Sequence, residues 1–204
     1  MLFRSVISPL LSNIYLDPLD HLMEQQGIEM VRYADDFVIL CRSEAEAREA
    51  LERVKEWTEQ TGLILHPVKT RIVDATQPGG FDFLGYNFAQ GQKRPREKSL
   101  RRFKDTIRAK TRRNHGHSLN SLIEDTNRTL RGWFGYFKHS HKDTFPKLDS
   151  WLRMRLRSIL RRRQKKRGRG RGSDHQRWPN AYFTKLGLFS LSAAHALARQ
   201  SLTG

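Results

Sequence analysis

Two adjacent carboxylates, Asp35 and Asp36, end a four-residue box that begins at Tyr33 and is flanked by apolar runs of strand length. Residues 28–32 precede the box and residues 37–40 follow it, so the sequence predicts a buried β-hairpin with both carboxylates at its tip. Paired aspartates suit a hard divalent cation such as Mg²⁺, which prefers oxygen ligands and keeps coordination positions for substrate phosphates. The alternative is an exposed turn with solvated acids. Motifs farther along the chain favour the metal site.

The elements around this box alternate between helix and strand. Ser8 and Pro9 predict the start of a helix that runs to Gly27, with Pro18 expected to bend or split it and its Leu and Ile residues expected in the core. A capping box from Ser43 to Glu46 predicts a second amphipathic helix that ends at Gly62. Strands are predicted at residues 63–65, 71–73 and 81–88, with a turn at residues 78–80. The fold class is therefore α+β.

Charge is unevenly distributed along the 204 residues, whose formal net charge is +17. Residues 1–92 contain 8 Lys and Arg against 14 Asp and Glu, residues 93–172 contain 27 against 6, and residues 173–204 contain 3 against 1. The cationic excess of the middle segment repels itself unless a polyanion neutralises it, so nucleic acid is the expected partner. A membrane surface is a weaker candidate, because the basic helices need their apolar faces for a core.

The basic middle segment is predicted to form a helical bundle, because apolar residues recur on one face of three successive stretches. These stretches centre on residues 100–107, 119–137 and 145–160. Gly132 is expected to let two helices approach closely. The neighbouring Trp133, Phe134 and Tyr136 are expected to be structural first and RNA contacts second, since aromatic clusters are more often core than base-stacking platforms.

Arginines surround the third predicted helix on more than one face, so part of it should project cations toward phosphates. The cations predicted to contact RNA are Arg101, Arg102, Lys104, Arg108, Arg112, Arg113, Arg153, Arg157, Arg161, Arg162, Arg163, Lys165, Lys166 and Arg167. Residues 164–172 form a basic Gly/Arg-rich stretch that is expected to be disordered when free and either to wrap RNA or to serve only as a linker. Residues 173–204 have enough apolar residues for a short helix or strand that docks back.

Four ordered blocks resemble the reverse transcriptases encoded by group II introns. The blocks are residues 6–16, the Tyr33-to-Asp36 box, residues 62–70 and residues 81–86. The stretch from Leu130 to Phe137 is similar to the maturase-specific thumb region of that family, and it favours the intron type over retron-type enzymes with a similar box. The resemblance covers nearly the whole chain from Val6 onward. It implies a partial polymerase palm, an antiparallel sheet with packed helices, followed by an all-α helical bundle thumb.

The resemblance also implies roles for individual residues. Asp35 and Asp36 would hold catalytic Mg²⁺ for attack of a primer 3′-oxygen on the α-phosphate of an incoming nucleotide. Tyr33 and Ala34 would border the primer terminus. Lys69 resembles a lysine near the leaving pyrophosphate, although a lysine after a strand is a solvated residue in most proteins. The hairpin residues Phe83, Leu84, Gly85 and Tyr86 would support the primer end, a role that is compatible with ordinary hairpin core.

One departure from the family pattern concerns the metal site. A palm of this type needs a third carboxylate from a strand that precedes the Val6 block, and the chain starts only a few residues before that block. We therefore expect a carboxyl-terminal portion of a larger enzyme, inactive as a polymerase by itself. The expected domains are a partial palm at 1–92, a thumb at 93–163, a basic linker at 164–172 and a tail at 173–204.

Two functional classes follow, with a third, deflationary alternative. The first is a group II intron reverse transcriptase, which works with Mg²⁺, an RNA template and a DNA primer. The second is a maturase-like protein that binds group II intron RNA and assists splicing without making DNA. The third is a decayed gene product with no role.

The remaining features exclude other classes. A lone cysteine, Cys41, forms no internal disulfide, and no signal segment opens the chain, so a reducing, cytoplasmic location in a bacterium is predicted. No apolar run approaches the length of a membrane span. The close pairs His115/His117 and His139/His141 lack the cysteines or spaced acids of a structural zinc site. An appended endonuclease is not expected.

Overall fold

The computed structural model describes residues 7–114, 116–166, 168 and 172–201. The chain forms two compact units, residues 1–74 and residues 75–204. Helices accompany antiparallel strands, which confirms the α+β class. The predicted domain boundary at residue 92 falls inside the second unit. No described helix is long and apolar enough to cross a membrane.

The first unit places two helices against a β-hairpin. Its elements are α1 (Ser8–Gln25), β1 (Glu29–Tyr33), β2 (Asp36–Leu40) and α2 (Glu44–Gln60). Leu19 and Met23 of α1 and Val54 of α2 are fully or almost fully buried, and half-buried residues of the hairpin pack against them. Burial of side chains of this size stabilises the unit by roughly 1.5–3 kcal/mol each.

Helix α1 differs from the sequence prediction in two respects. Its N-cap is Ile7, without a side-chain hydrogen bond, and the helix continues through Pro18 to Gln25. The residues Leu10, Leu11 and Ile14, expected in the core, are 59%, 59% and 64% exposed. Periodicity correctly predicted an apolar face there, but only its later part, from Leu16 to Met23, is covered.

The predicted capping box of α2 is confirmed at its main contact, since the Glu46 N–H donates to Ser43 Oγ at 3.2 Å. The Glu46 carboxylate returns a bond to the N–H of Arg42 at 2.8 Å rather than to that of Ser43. Two backbone donors that a helix start leaves unpaired are thereby satisfied.

The strands predicted at residues 63–65 and 71–73 are wrong. Both segments are irregular in the structure, and Ile64 is 93% exposed. A strand needs a neighbour for its backbone hydrogen bonds, and the sheet of this unit has only the order β1-β2. The apolar residues of these two segments were therefore not sufficient to predict strands.

The second unit joins a small sheet to a helical bundle. Its elements are β3 (Phe81–Phe83), β4 (Tyr86–Ala89), β5 (Gln92–Pro95), α3 (Glu97–Lys110), α4 (Leu119–Phe137), α5 (Thr144–Arg163), α6 (Ser173–Arg177), α7 (Asn180–Lys185) and α8 (Leu191–Gln200). The antiparallel strand order is β3-β4-β5. Gly80, with φ +53°, is required before β3 because a Cβ there would meet the Phe88 carbonyl oxygen at 1.8 Å.

The bundle core confirms the predicted apolar faces of the three long helices. The buried apolar side chains of α3, α4 and α5 form one cluster, which contains Phe103, Ile107, Leu122, Ile123, Leu130, Phe145, Leu148, Leu152, Leu156 and Ile159. Trp133 stacks on Phe103 with ring centroids 4.5 Å apart. The expectation for Gly132 is wrong, since this residue is exposed and a Cβ there would meet nothing within 4 Å.

The tail docks on this core, as the sequence predicted. Trp178, Phe183 and Leu191 contribute buried side chains. Asp149 of α5 accepts from the N–H groups of Leu191 at 3.0 Å and Ser192 at 3.1 Å, so a carboxylate from one helix caps another. These bonds fix α8 to α5.

Candidate functional site

The hairpin tip of the first unit presents the two aspartates as the sequence predicted. Tyr33 pairs with Asp36 in the β1–β2 register, so Ala34 and Asp35 form a two-residue turn. Ala34 has φ +54°, a left-handed conformation that costs an alanine roughly 1 kcal/mol. Both carboxylates are exposed, and neither has an ion pair or hydrogen bond with a described residue. Tyr33 is 67% exposed beside them.

A half-buried arginine, Arg32, supports this turn from the side that faces α1. Arg32 Nη1 donates to the Ala34 carbonyl oxygen and to Asn13 Oδ1, each at 3.0 Å, while Nε donates to Asp20 Oδ1 at 2.8 Å. The hydrogen bond to Asp20 raises the pKa of the Arg32 guanidinium and outweighs the opposite effect of its burial. One side chain thus ties the strained turn to α1.

Sequence reasoning missed Arg32, Asn13 and Asp20. The available signal was a cation in a half-buried strand directly before the acidic box, where an unpaired charge would be costly. That signal would have predicted a carboxylate on the helix packed against the strand, and this carboxylate is Asp20 of α1.

Lys69 lies in a turn whose backbone bonds return to His66, and its side chain is exposed. No hydrogen bond or ion pair joins Lys69 to Asp35 or Asp36 in the described chain. Its catalytic role therefore stays a prediction.

The predicted primer-supporting residues form the β3–β4 turn of the second unit. Phe83 pairs with Tyr86, which leaves Leu84 and Gly85 as a two-residue turn with φ +46° and +81°. Positive φ at both positions is the geometry that matches the twist of a hairpin. The turn carries Leu84 at a position that glycine or asparagine usually takes, so its surroundings must hold it.

Two tyrosines provide that support with hydrogen bonds between the hairpin and α4. Tyr136 of α4 donates its hydroxyl to the Leu84 carbonyl at 2.6 Å, and Tyr86 donates to the Tyr136 carbonyl at 2.5 Å. Their rings stack with centroids 5.9 Å apart. Burial, followed by the influence of Tyr136, raises the pKa of the Tyr86 hydroxyl, against a smaller lowering by Ser140. The hairpin is therefore fastened to α4.

The cations predicted to contact RNA differ in exposure and in pairing. Exposed cations without an acidic partner in the described chain are Arg102, Arg112, Arg113, Arg162, Arg163, Lys165 and Lys166. Arg101 and Arg108 are exposed but pair with Glu97 and Asp105, whereas Lys104, Arg153 and Arg161 are half-buried, the last bonded to Asp174. Arg167 and most of the Gly/Arg-rich stretch lie outside the described residues.

Arg157 has to be removed from the predicted RNA contacts. It is 2% exposed, donates from Nε to the Trp178 carbonyl at 2.9 Å and from Nη2 to Asn180 Oδ1 at 2.8 Å, and lies over the Phe183 ring. Its guanidinium holds the tail onto α5 and does not reach the surface. Counting arginines around a helix could not separate this residue from its exposed neighbours.

Two family models match the chain. The first describes reverse transcriptase, the RNA-dependent DNA polymerase, and matches residues 3–88; the second describes the group II intron maturase-specific domain and matches residues 100–178. The chain belongs to the group II intron reverse transcriptase/maturase family. Both domains imply nucleic-acid binding. No curated protein matches this chain.

Members of the reverse transcriptase family generally use a divalent metal. The exposed carboxylates of Asp35 and Asp36 fit such an ion, since Mg²⁺ is often held by one or two carboxylates together with waters and substrate phosphates. Among the residues that the structure describes, no group of three His, Cys, Asp or Glu side chains is placed to hold a metal ion.

Proposed function

We propose that this member of the family acts by binding intron RNA through a cationic surface at one end of the helical bundle. The surface, called the basic end below, consists of Arg112, Arg113, Arg162, Arg163, Lys165 and Lys166. The observation that carries the proposal is that the α3–α4 loop and the last turn of α5 lie together there and expose these cations without acidic partners in the described chain.

Side-chain contacts support this placement. Arg163 donates to the His117 carbonyl, and Arg155 donates to Thr111 Oγ1 at 2.7 Å and to the Thr111 carbonyl at 3.0 Å. Both ends of the α3–α4 loop are therefore held by arginines of α5. The exposed cations of the loop and of the helix end form one surface.

Electrostatic crowding near the basic end favours a polyanionic partner. Burial, and then the charges of Arg108 and Arg113, lower the pKa of the Arg155 guanidinium. Cations that repel each other are stabilised when phosphates neutralise them. A membrane surface would also require exposed apolar side chains beside the cations. Among the described residues, the α3–α4 loop and the end of α5 contain no large exposed apolar side chain.

The experiment is a titration of intron RNA and an unrelated duplex of equal length at 50 and 200 mM salt. Six phosphate contacts predict a loss of about 10³ in affinity between these concentrations. The variant Arg112→Gln/Arg113→Gln/Arg162→Gln should make the slope of log affinity against log salt less steep by about 2 to 3.

The matched control removes three cations from the first unit, as Arg48→Gln/Arg53→Gln/Lys55→Gln, and should leave the slope unchanged. A flat salt response of the unmodified protein, or equal effects of variant and control, would contradict the basic end. Equal affinity for both RNAs at 200 mM would contradict intron recognition, because shape and loop contacts are not screened as phosphate contacts are.

A second candidate function, nucleotidyl transfer, is favoured by the exposed carboxylate pair. Asp35 and Asp36 would hold Mg²⁺, and the bound ion would activate the primer 3′-oxygen and stabilise charge on the transferred phosphate. Arg32 would keep the turn in place while both carboxylates bind. Only these two acidic ligands are gathered among the described residues, whereas the family pattern described above uses a third carboxylate.

We therefore expect no templated primer extension by this chain alone with Mg²⁺ and nucleotides. The assay uses a labelled primer on an RNA template, with Asp35→Ala as the paired variant. Templated synthesis that Asp35→Ala abolishes would overturn the expectation and establish the enzyme function.

A further inference from the structure

A half-open cavity of about 520 Å³ lies where α4 ends and α5 begins. One wall is the loop from Lys138 to Lys142, and the other is the end of α8 with His195 and Arg199. We call this cavity the α4–α5 groove. It contains the pair His139 and His141, for which neither the metal site nor the basic end provides a role.

The walls of the groove are held in place by the fold. The His141 N–H donates to the Lys93 carbonyl at 2.8 Å, and the Ser140 N–H donates to the Phe137 carbonyl at 3.0 Å. Ser140 is 3% exposed, which anchors the middle of the loop. His195 stacks on Phe145 with ring centroids 4.5 Å apart, so the α8 wall is fixed to the bundle core. The groove is therefore formed before any ligand arrives.

The α4–α5 groove is positively charged. Lys138, Lys142 and Arg199 line the groove with three histidines, and the lining contains no carboxylate in the described chain. Asp143, the N-cap residue of α5, lies 3.5 Å from His141 Nδ1 and 3.9 Å from Arg94 Nη2, and the Arg94 cation offsets its charge. The C-terminal ends of α4 and α8 each carry roughly half a negative charge, which repels an anion. Together they amount to less than the three positive charges of Lys138, Lys142 and Arg199.

We propose that the α4–α5 groove is a second phosphate-binding site of this protein, which holds the backbone of the same RNA that occupies the basic end. This inference rests on the proposed RNA-binding function and extends it. The open side suits a strand that passes through, whereas a small anion would be bound more tightly by an enclosed pocket.

The two sites lie at opposite ends of α5. Lys142 lies two residues before the first residue of that helix, and Arg162 and Arg163 are its last two residues. A helix of this length spans about 30 Å, which corresponds to roughly nine phosphates along one strand of a duplex. A duplex RNA therefore needs about ten base pairs or more to occupy both sites, so the groove adds affinity for long duplex RNA through effective concentration.

The test compares RNA hairpins with stems of 5 and 20 base pairs on the variant Lys138→Gln/Lys142→Gln. For the longer RNA, loss of two phosphate contacts should lower affinity at least fivefold and make the salt slope less steep by about 1.4 to 1.8. For the shorter RNA, affinity should change less than twofold, because the basic end still binds it. Both lysines are exposed, so thermal stability should not change.

The control variant Lys55→Gln/Lys185→Gln removes the same charge outside the groove and should affect neither RNA. A loss equal to that of the groove variant would overturn the proposal and indicate only an effect of net charge. Inorganic phosphate that binds the unmodified protein as tightly as the long RNA would also overturn it, in favour of a small-anion pocket.

Failure of the groove can be distinguished from failure of the proposed function. If the unmodified protein binds long RNA with a steep salt response and the groove variant behaves like the control, only the groove proposal is wrong. If the unmodified protein shows no salt-dependent RNA binding, the basic end is wrong as well.

Discussion

Replacing Arg157 by alanine should unfold the helical unit more easily and leave the RNA contacts of the folded protein intact. The guanidinium donates to the Trp178 carbonyl at 2.9 Å and to Asn180 Oδ1 at 2.8 Å, and it lies 5.3 Å from the Phe183 ring centroid. Hydrogen bonds from a charged donor contribute about 1.5–3 kcal/mol each, and a cation–π contact contributes about 0.5–2 kcal/mol.

Part of this stabilisation is offset because burial of the cation is unfavourable. Burial, together with the charge of Arg153, lowers the pKa of Arg157, and Asp174 acts in the opposite direction. The alanine variant also leaves the Trp178 carbonyl buried without its donor, at a cost of about 1–3 kcal/mol. The balance is a loss of roughly 3–5 kcal/mol, or roughly 10 °C in melting temperature for a protein of this size.

The assay is thermal unfolding by circular dichroism, combined with RNA affinity at several salt concentrations well below the transition. Arg162→Ala on the same helix is the matched comparison, because Arg162 is exposed. Arg162→Ala should leave the melting temperature unchanged. It should make the slope of log affinity against log salt less steep by about 0.7 to 0.9. The reasoning about Arg157 is refuted if Arg157→Ala melts normally and shows that loss of slope instead.

Three further outcomes follow from contacts in the second unit. Asp149→Ala should destabilise this unit by roughly 3 kcal/mol in denaturant unfolding, because Leu191 and two neighbouring donors lose their acceptor; Asp149→Asn should lose less. Tyr136→Phe removes one hydrogen bond to Leu84, about 1 kcal/mol, and should speed hydrogen exchange in the hairpin while the melting temperature hardly changes. Burial, Arg199 and His141 lower the pKa of His195 from 6.5, so the unfolded chain takes up this proton first as pH falls. The free energy of unfolding should therefore decrease as pH falls through and below 6.5. The melting temperature of the variant His195→Gln should depend less on pH than that of the unmodified protein.

The sequence predicted those parts of the fold that depend on local signals. Period-2 and period-3.6 patterns located the acidic hairpin and the three long helices, and Ser43 with Glu46 located a helix start. Each of these features is set by residues within a few positions of one another. The adjacent aspartates therefore emerge at a turn, as their flanking strands require.

The differences arise where a neighbour distant in sequence decides the outcome. Periodicity identified the apolar face of α1 but did not determine whether Leu10 and Leu11 are covered. Residues 71–73 include two β-branched residues, as strands often do, but they have no pairing partner among the described residues of their unit. Arg157 looks like its exposed neighbours until residues 178–183 fold over it. In these cases the local sequence is compatible with a buried or an exposed residue, and with a paired or an unpaired segment. Contacts with residues distant in the sequence determine which of them forms.

The tyrosine bonds between the β3–β4 turn and α4 have a consequence for recombination between relatives. The reverse transcriptase match ends at residue 88 and the maturase match begins at residue 100, so an exchange of modules guided by sequence would cut between them. That cut separates Tyr86 from Tyr136 and uncovers the Phe137 ring, whose centroid lies 5.0 Å from that of Tyr86. A cut at residues 74 and 75 keeps the sheet with its helices. The unit that can be exchanged therefore begins inside the polymerase match, and hairpin and thumb must be inherited together.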